Sequence, residues 1–167
     1  MKTYPILEDA ITTAMEPILD SSYSKGVSVP ISAIAIPSNL YTHPLSLSRI
    51  VQAGIPFPLF QHIYEVAPLT EKEWCQILDI SDKTLSRYAK EGPDFRFRRL
   101  HSERILEIAR FTDLGMAFFD SKEAFRMWLD RNNHIFRNEK PIDLLNDMHG
   151  IGLLCEELGR MEHGIFP

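Results

Sequence analysis

The feature that most constrains this chain is a helical apolar period running almost without interruption from residue 54 to residue 164, cut into short lengths by proline and glycine. Pro56 and Pro58 open the first length, which carries Phe60, Ile63, Tyr64 and Ala67 at i, i+3, i+4 and i+7 and stops at Pro68. In "TEKEWCQILDIS" the spacing of Thr70 and Glu73 is that of a capping box, and Trp74, Ile77 and Leu78 form an inward face. Asp79 and Ile80 make a turn, and Ser81 caps a second short helix whose Leu85, Tyr88 and Ala89 point inward and which Gly92 and Pro93 end. A longer helix is predicted at about 102–117, with Ile105, Ile108, Ala109, Thr112 and Met116 on one side, and another at about 121–130 with Phe125, Trp128 and Leu129; Ser102 and Ser121 serve as N-caps. After Pro141 the last helix turns Ile151, Leu154, Cys155, Leu158 and Met161 inward and Glu156, Glu157, Arg160 and Glu162 outward.

Residues 1–44 read differently. Pro5, Pro17, Pro30, Pro37 and Pro44 break them up, "VSVPISAIAIPSN" alternates only weakly, and only residues 7–16 look helical. Ile31, Ile34 and Ile36 would be exposed unless this arm packs over the rest. The expected fold is therefore all-α: an irregular N-terminal arm at 1–44, a helix-turn-helix domain at 45–100 and a small helical domain at 101–167. A chain of 167 residues can bury the core this needs as one domain or as two small ones sharing an interior.

Several function classes lose support. Cys75 and Cys155 fall on apolar helical positions and read as core residues, which suits a reducing cytosol. No leader pattern opens the chain and no stretch approaches the ~20 apolar residues of a membrane span, so a cytoplasmic protein without membrane contact is expected. His134, His149 and His163 lack metal-box spacing, and no nucleophile motif or phosphate-cradling glycine loop occurs, so no metal, no cofactor and no catalysis are assigned.

Charge is unevenly placed. The net charge is −5, yet residues 83–99 hold Lys83, Arg87, Lys90, Arg96, Arg98 and Arg99 against only Glu91 and Asp94, whereas residues 111–167 hold six basic and ten acidic residues. A helix entering the major groove needs short polar donors near its N-terminus, basic residues for phosphates and a buried back face. Residues 81–90 supply all three: Asp82, Lys83, Thr84 and Arg87 are candidate base readers, and Ser81, Ser86, Lys90, Arg96, Arg98 and Arg99 candidate phosphate contacts. The bland alternative is a solvated helix face. Asp79 stands where a glycine commonly makes the turn.

The run from Ala124 to Pro167 resembles the toxin-binding domain of Xre/MbcA/ParS-type antitoxins. The resemblance rests on Trp128-Leu129 closing a helix, Asn133 in the following loop, the Pro141, Leu144, Leu145 start, Gly150, and the closing Leu158, Arg160, His163 and Gly164. It extends upstream through "SERILEIARF" and Gly54-Ile55-Pro56, to cover roughly residues 50–167. It implies a dimeric antitoxin, itself no enzyme, that represses its own operon by binding operator DNA and covers the active site of a RES-domain, NAD-targeting toxin; no residue here would bind NAD. Arg160, His163 and Gly164, followed by Ile165, Phe166 and Pro167, are the expected toxin-binding residues, with Gly164 turning an apolar tail that either inserts into the toxin's cleft or folds back on its own core. A regulator whose C-terminal domain only dimerises or binds a metabolite, and an adaptor whose helix-turn-helix no longer binds DNA, remain the competing readings.

Overall fold

The computed structural model describes residues 6–20 and 40–164. Its regular elements are helices: α1 (Ile6–Asp20), α2 (Pro44–Ala53), α3 (Phe57–Val66), α4 (Glu71–Leu78), α5 (Asp82–Glu91), α6 (Arg99–Phe118), α7 (Lys122–Asp130) and α8 (Met148–Glu162), with short 3-10 turns between them. Among the described residues, no helix is long and apolar enough to cross a membrane.

The longest helix, α6, is the axis of the molecule. Its twenty residues span about 30 Å, and it packs against α1, α2, α3, α4, α7 and α8. This is why Ile105, Leu106, Ile108, Ala109 and Phe111 are all buried although they do not lie on a single stripe. The helix starts three residues before the expected Ser102. That serine is not a cap: it is fully buried, its hydroxyl accepting from Ile55 N (3.0 Å) and donating to Phe97 O (3.1 Å), so tertiary pairing has taken the side chain that sequence assigned to capping. Ser121, by contrast, does cap α7 by accepting from Ala124 N.

The helix expected at 7–16 extends from Ile6 to Asp20, past Pro17. Leu7, Ile11 and Met15, on one face at i, i+4 and i+8, are fully buried. Buried Asp113 on α6 ties down this region, accepting from Leu7 N (3.1 Å) and from the Tyr41 hydroxyl (2.8 Å). Part of the N-terminal arm is thus built into the core; Ile31, Ile34 and Ile36, on which the packing expectation rested, lie outside the described residues. α2 was not marked out by its sequence pattern.

Two aromatic clusters fill the interior. Phe97 is the hub of the first, with ring centroids 4.8 Å from Phe60, 5.1 Å from Phe95 and 5.6 Å from Tyr88. Gly54-Ile55-Pro56 runs antiparallel to Phe95–Phe97, with Phe57 N donating to Phe95 O and Phe97 N to Ile55 O. Gly54 has φ of 82°, and a Cβ there would lie 2.5 Å from Phe97 O, so both conformation and close approach require glycine. The second cluster joins Phe111, Phe119, Phe125, Trp128 and Phe136 where α6 meets α7.

Candidate nucleic-acid and partner-binding sites

The helix-turn-helix forms as its sequence specifies. Thr70 and Glu73 complete the reciprocal capping box of α4. Asp79 takes the left-handed conformation (φ 55°, ψ 50°), so the aspartate does here what glycine does elsewhere, and Ile80 N donates to Cys75 O (3.0 Å) across the turn. Ser81 Oγ accepts from Thr84 N (3.2 Å) and lies 3.0 Å from Thr84 Oγ1. Trp74, Cys75, Ile77, Leu78, Leu85 and Tyr88 hold the two helices from behind, and burial raises the Cys75 thiol pKa to about 11. Ala89, expected inside, is exposed. Leu85 and Tyr88 already fill the narrow inner stripe of this short helix.

Asp82, Lys83, Ser86, Arg87 and Lys90 form the exposed outer stripe of α5, while Thr84 is half-buried and engaged with Ser81. Arg87 sits 3.8 Å from Glu91 and 5.5 Å over the Tyr88 ring, an exposed pairing of small energy that leaves the guanidinium accessible. The three arginines after α5 divide. Arg96 donates to Gly54 O (3.0 Å) and helps hold the loop pairing, so it is partly a structural residue. Arg98 and Arg99 are exposed at the start of α6, where no side chain caps the helix and no acid occupies the first turn. Two cations at a positive helix end are unfavourable unless an anion joins them. His101 follows, buried, with Nδ1 unpartnered. Burial first, then the charges of Arg98 and Arg104, lower its pKa, against a smaller opposing effect of Asp79.

At the other end, α8 is capped by Asp147, which accepts from His149 N and Gly150 N. Ile151, Leu154, Cys155 and Leu158 face inward as expected, and burial pushes the Cys155 thiol up to about 12. Glu157 departs from expectation. It is only 2% exposed, and Arg160 Nε (2.9 Å) and Nη2 (2.6 Å) both donate to its Oε2. The helix is wider in its buried arc than the apolar residues alone indicate, because the loop after α7 covers the flank that carries Glu157. Arg160 is therefore tied to its own helix. His163 is the exposed C-cap just beyond α8, Gly164 turns with φ of 68°, and Ile165, Phe166 and Pro167 lie outside the described residues.

That flank forms an open pocket of about 360 Å³ lined by Trp128, Arg131, Asn132, Asn133, His134, Ile135, Glu157 and Met161. Sequence reasoning picked out Trp128 and Asn133 but assigned Trp128 to the core; it is half-buried and forms a wall. His134, Glu157 and Met161 were named only as a histidine without metal-box spacing, an outward acid and an inward apolar residue, and Arg131, Asn132 and Ile135 gave no signal, because their approach to α8 depends on the loop's path.

The helix-turn-helix and the α7–α8 unit are joined by Arg126. Its Nη1 and Nη2 donate to Glu73 Oε2 (2.7 Å) and Oε1 (2.8 Å), its Nε to Asp130 Oδ2 (2.7 Å), and its Nη1 also to Pro68 O (3.1 Å). Burial opposes ionisation of Glu73, but the hydrogen bonds from Arg126 and Thr70 hold its carboxyl below the usual range, while the hydrogen bonds to Glu73 and Asp130 raise the Arg126 pKa. The sequence disclosed only the capping role of Glu73.

Residues 46–110 match the antitoxin Xre-like helix-turn-helix domain, and residues 114–164 match the antitoxin Xre/MbcA/ParS C-terminal toxin-binding domain. The chain belongs to the Xre/MbcA/ParS antitoxin family. It is 25% identical over 117 residues to "Antitoxin Xre" of Yersinia enterocolitica serotype O:8 / biotype 1B, a match covering 70% of this chain and 78% of that one. Its fold is similar to a chain in the crystal structure of the M. tuberculosis MbcT–MbcA toxin–antitoxin complex, with a TM-score of 0.52 and 22% identity over 65% of this chain and 94% of the other. The first family segment ends and the second begins within α6, so the two matched domains share one helix.

Proposed function

We propose that this antitoxin binds and neutralises a RES-domain, NAD-targeting toxin through its C-terminal domain, and represses its own operon as a homodimer in the cytoplasm through α5. The observation that carries the DNA-binding part is the outer stripe of α5. Lys83, Ser86, Arg87 and Lys90 project together from a helix whose angle is fixed by the left-handed Asp79, the Ser81 cap and the buried Leu85 and Tyr88. Arg98 and Arg99 at the uncapped start of α6 supply cations beside main-chain donors, an arrangement suited to a phosphate. The match to a toxin-binding domain over 114–164 supports the toxin half. Arg160, His163, Gly164 and the tail Ile165, Phe166 and Pro167 remain proposed contacts; of these, Arg160 reaches a partner only by sharing its guanidinium with Glu157.

The test is a pair of titrations. Replacing Lys83 and Arg87 with alanine should weaken operator binding by about 1–3 kcal/mol for each lost base contact at fixed salt, with toxin neutralisation intact in co-expression. Unchanged operator affinity would show that α5 is not the reader. A co-expressed neighbouring toxin that stays active would remove the antitoxin half of the reading.

A further inference from the structure

The structure points to a receptor for one partner side chain. We propose that the pocket between α7, the 131–136 loop and the C-terminal half of α8 seats an aromatic side chain of the toxin whose neighbours in the toxin are acidic. This rests on the toxin-neutralisation reading above and names the feature of the toxin that the domain grips.

Five observations converge on that occupant. The pocket's volume of about 360 Å³ greatly exceeds the roughly 30 Å³ of a water molecule and falls at the lower end of ligand-sized pockets, a fit for one large side chain. Its walls are Trp128, Ile135 and Met161. Three of the polar residues between them are already engaged: Asn132 Nδ2 donates to Asn138 O (2.7 Å), Asn133 Oδ1 accepts from Ile135 N (3.0 Å), and Glu157 is held by Arg160, while Arg131 and His134 are exposed. An apolar ring strands fewer hydrogen-bonding groups in such a site than a polar head would, and Trp128 and Met161 offer it aromatic and thioether contacts.

The pocket is also preformed. Asn133 N donates to Glu139 O and Asn138 N to Asn133 O, and Arg137 and Asn138 take left-handed conformations that close the loop tightly over the buried Phe136. A wall fixed before binding costs less to order at the moment of association.

Charge indicates what flanks the ring. Arg131 lines the pocket, and Arg137 and Lys140 follow it in the same loop against Glu139, a basic segment within a C-terminal half that is otherwise acidic. Among the described residues these three cations are exposed and make no ion pair. Complementarity therefore calls for carboxylates beside the inserted ring. All of the lining lies inside the segment that matches the toxin-binding domain, so the toxin, rather than a second copy of this chain, is the partner.

The experiment uses full-length antitoxin labelled with 5-fluorotryptophan, titrated with its co-expressed toxin. The chain has two tryptophans, Trp74 fully buried and Trp128 in the pocket, giving two separable fluorine resonances. Toxin should shift the Trp128 resonance and leave Trp74 unmoved. The exposed double variant Arg131→Glu, Arg137→Glu should bind toxin about tenfold more weakly, with a reduced salt dependence. Met161→Glu, which places a carboxylate on the apolar wall, should weaken binding further; if it fails to fold, the rim variant and the resonance still decide. Wild-type affinity in the rim variant, or an unmoved Trp128 resonance in a formed complex, overturns the proposal and leaves toxin neutralisation standing. A Trp128 resonance that moves with antitoxin concentration alone assigns the pocket to a second copy and also overturns it. Absence of any complex with the wild-type chain takes down the neutralisation reading and the proposal together.

Discussion

Replacing Gly115 with alanine tests how α7 sits on α6. A Cβ at Gly115 would lie 2.0 Å from Phe125 Cζ and 2.1 Å from Cε1, so the ring edge has to retreat by about 1.4 Å to reach the 3.4 Å of ordinary contact. Phe125 has nowhere easy to go. It is fully buried and lies 5.2 Å from Phe111, 5.1 Å from Phe119 and 6.1 Å from Trp128 between ring centroids. Overpacking a core of this kind costs typically ~1–3 kcal/mol, and the upper end applies where the obstacle is a ring boxed in by other rings. Alanine gains ~1 kcal/mol over glycine inside a helix, which leaves a net loss of about 1–2 kcal/mol. The same change at Gly152 or Gly159 on α8 meets nothing within 4 Å, so only the gain of up to ~1 kcal/mol remains. One chemical substitution should thus act with opposite sign at two helical sites. For a chain of this length ~1 kcal/mol moves Tm by about 2–4 °C, so thermal melts and urea midpoints should place Gly115→Ala below wild type and Gly159→Ala above it. A Gly115→Ala protein as stable as wild type would refute the docking of Phe125 on α6, and with it the placement of Trp128 and Arg126.

Three further outcomes follow from other contacts. Arg126→Leu leaves half-buried Glu73 without its cation and should cost about 1–3 kcal/mol in urea denaturation, whereas Arg126→Lys should recover only part of the loss because a single ammonium cannot pair with both carboxylate oxygens in the same plane. His101 has a folded-state pKa below its usual 6.5, so the unfolded chain takes up the proton first as pH falls; its contribution to stability is complete above about 6.5 and declines below it. The drop in urea midpoint between pH 7.5 and 5.5 should accordingly be smaller in His101→Gln, and an equal drop would remove His101 as a cause. A fragment of residues 101–167 would strip α1, α2, α3 and α4 from α6 and expose Ile105, Ile108 and Ala109, so circular dichroism should find it largely unfolded; a cooperative melt of that fragment would contradict the shared-axis description.

The sequence by itself determined the local elements around the helix-turn-helix. Capping is a matter of residues three apart, so Thr70, Glu73 and Ser81 could be assigned without knowing what lies across the molecule, and the left-handed turn at Asp79 needed only the short polar side chain that tolerates it. The exposed stripe of Lys83, Ser86, Arg87 and Lys90 followed from helical periodicity alone. Tertiary structure decided what depends on residues distant in the chain. Ser102 carries every mark of an N-cap, yet Ile55 and Phe97 claim its hydroxyl from some 47 and 5 residues away. Glu157 looks like a solvent-facing acid until the loop after α7 folds over its side of α8, and Trp128 looks like core until that same loop stops short of covering it. Arg126 and Glu73, 53 residues apart, bear no mutual mark in sequence. A helix announces its own period and its own ends because those interactions span one turn; which of its polar residues find a partner across the core is fixed only when the long-range contacts form, and the pocket on α8 is made of those contacts.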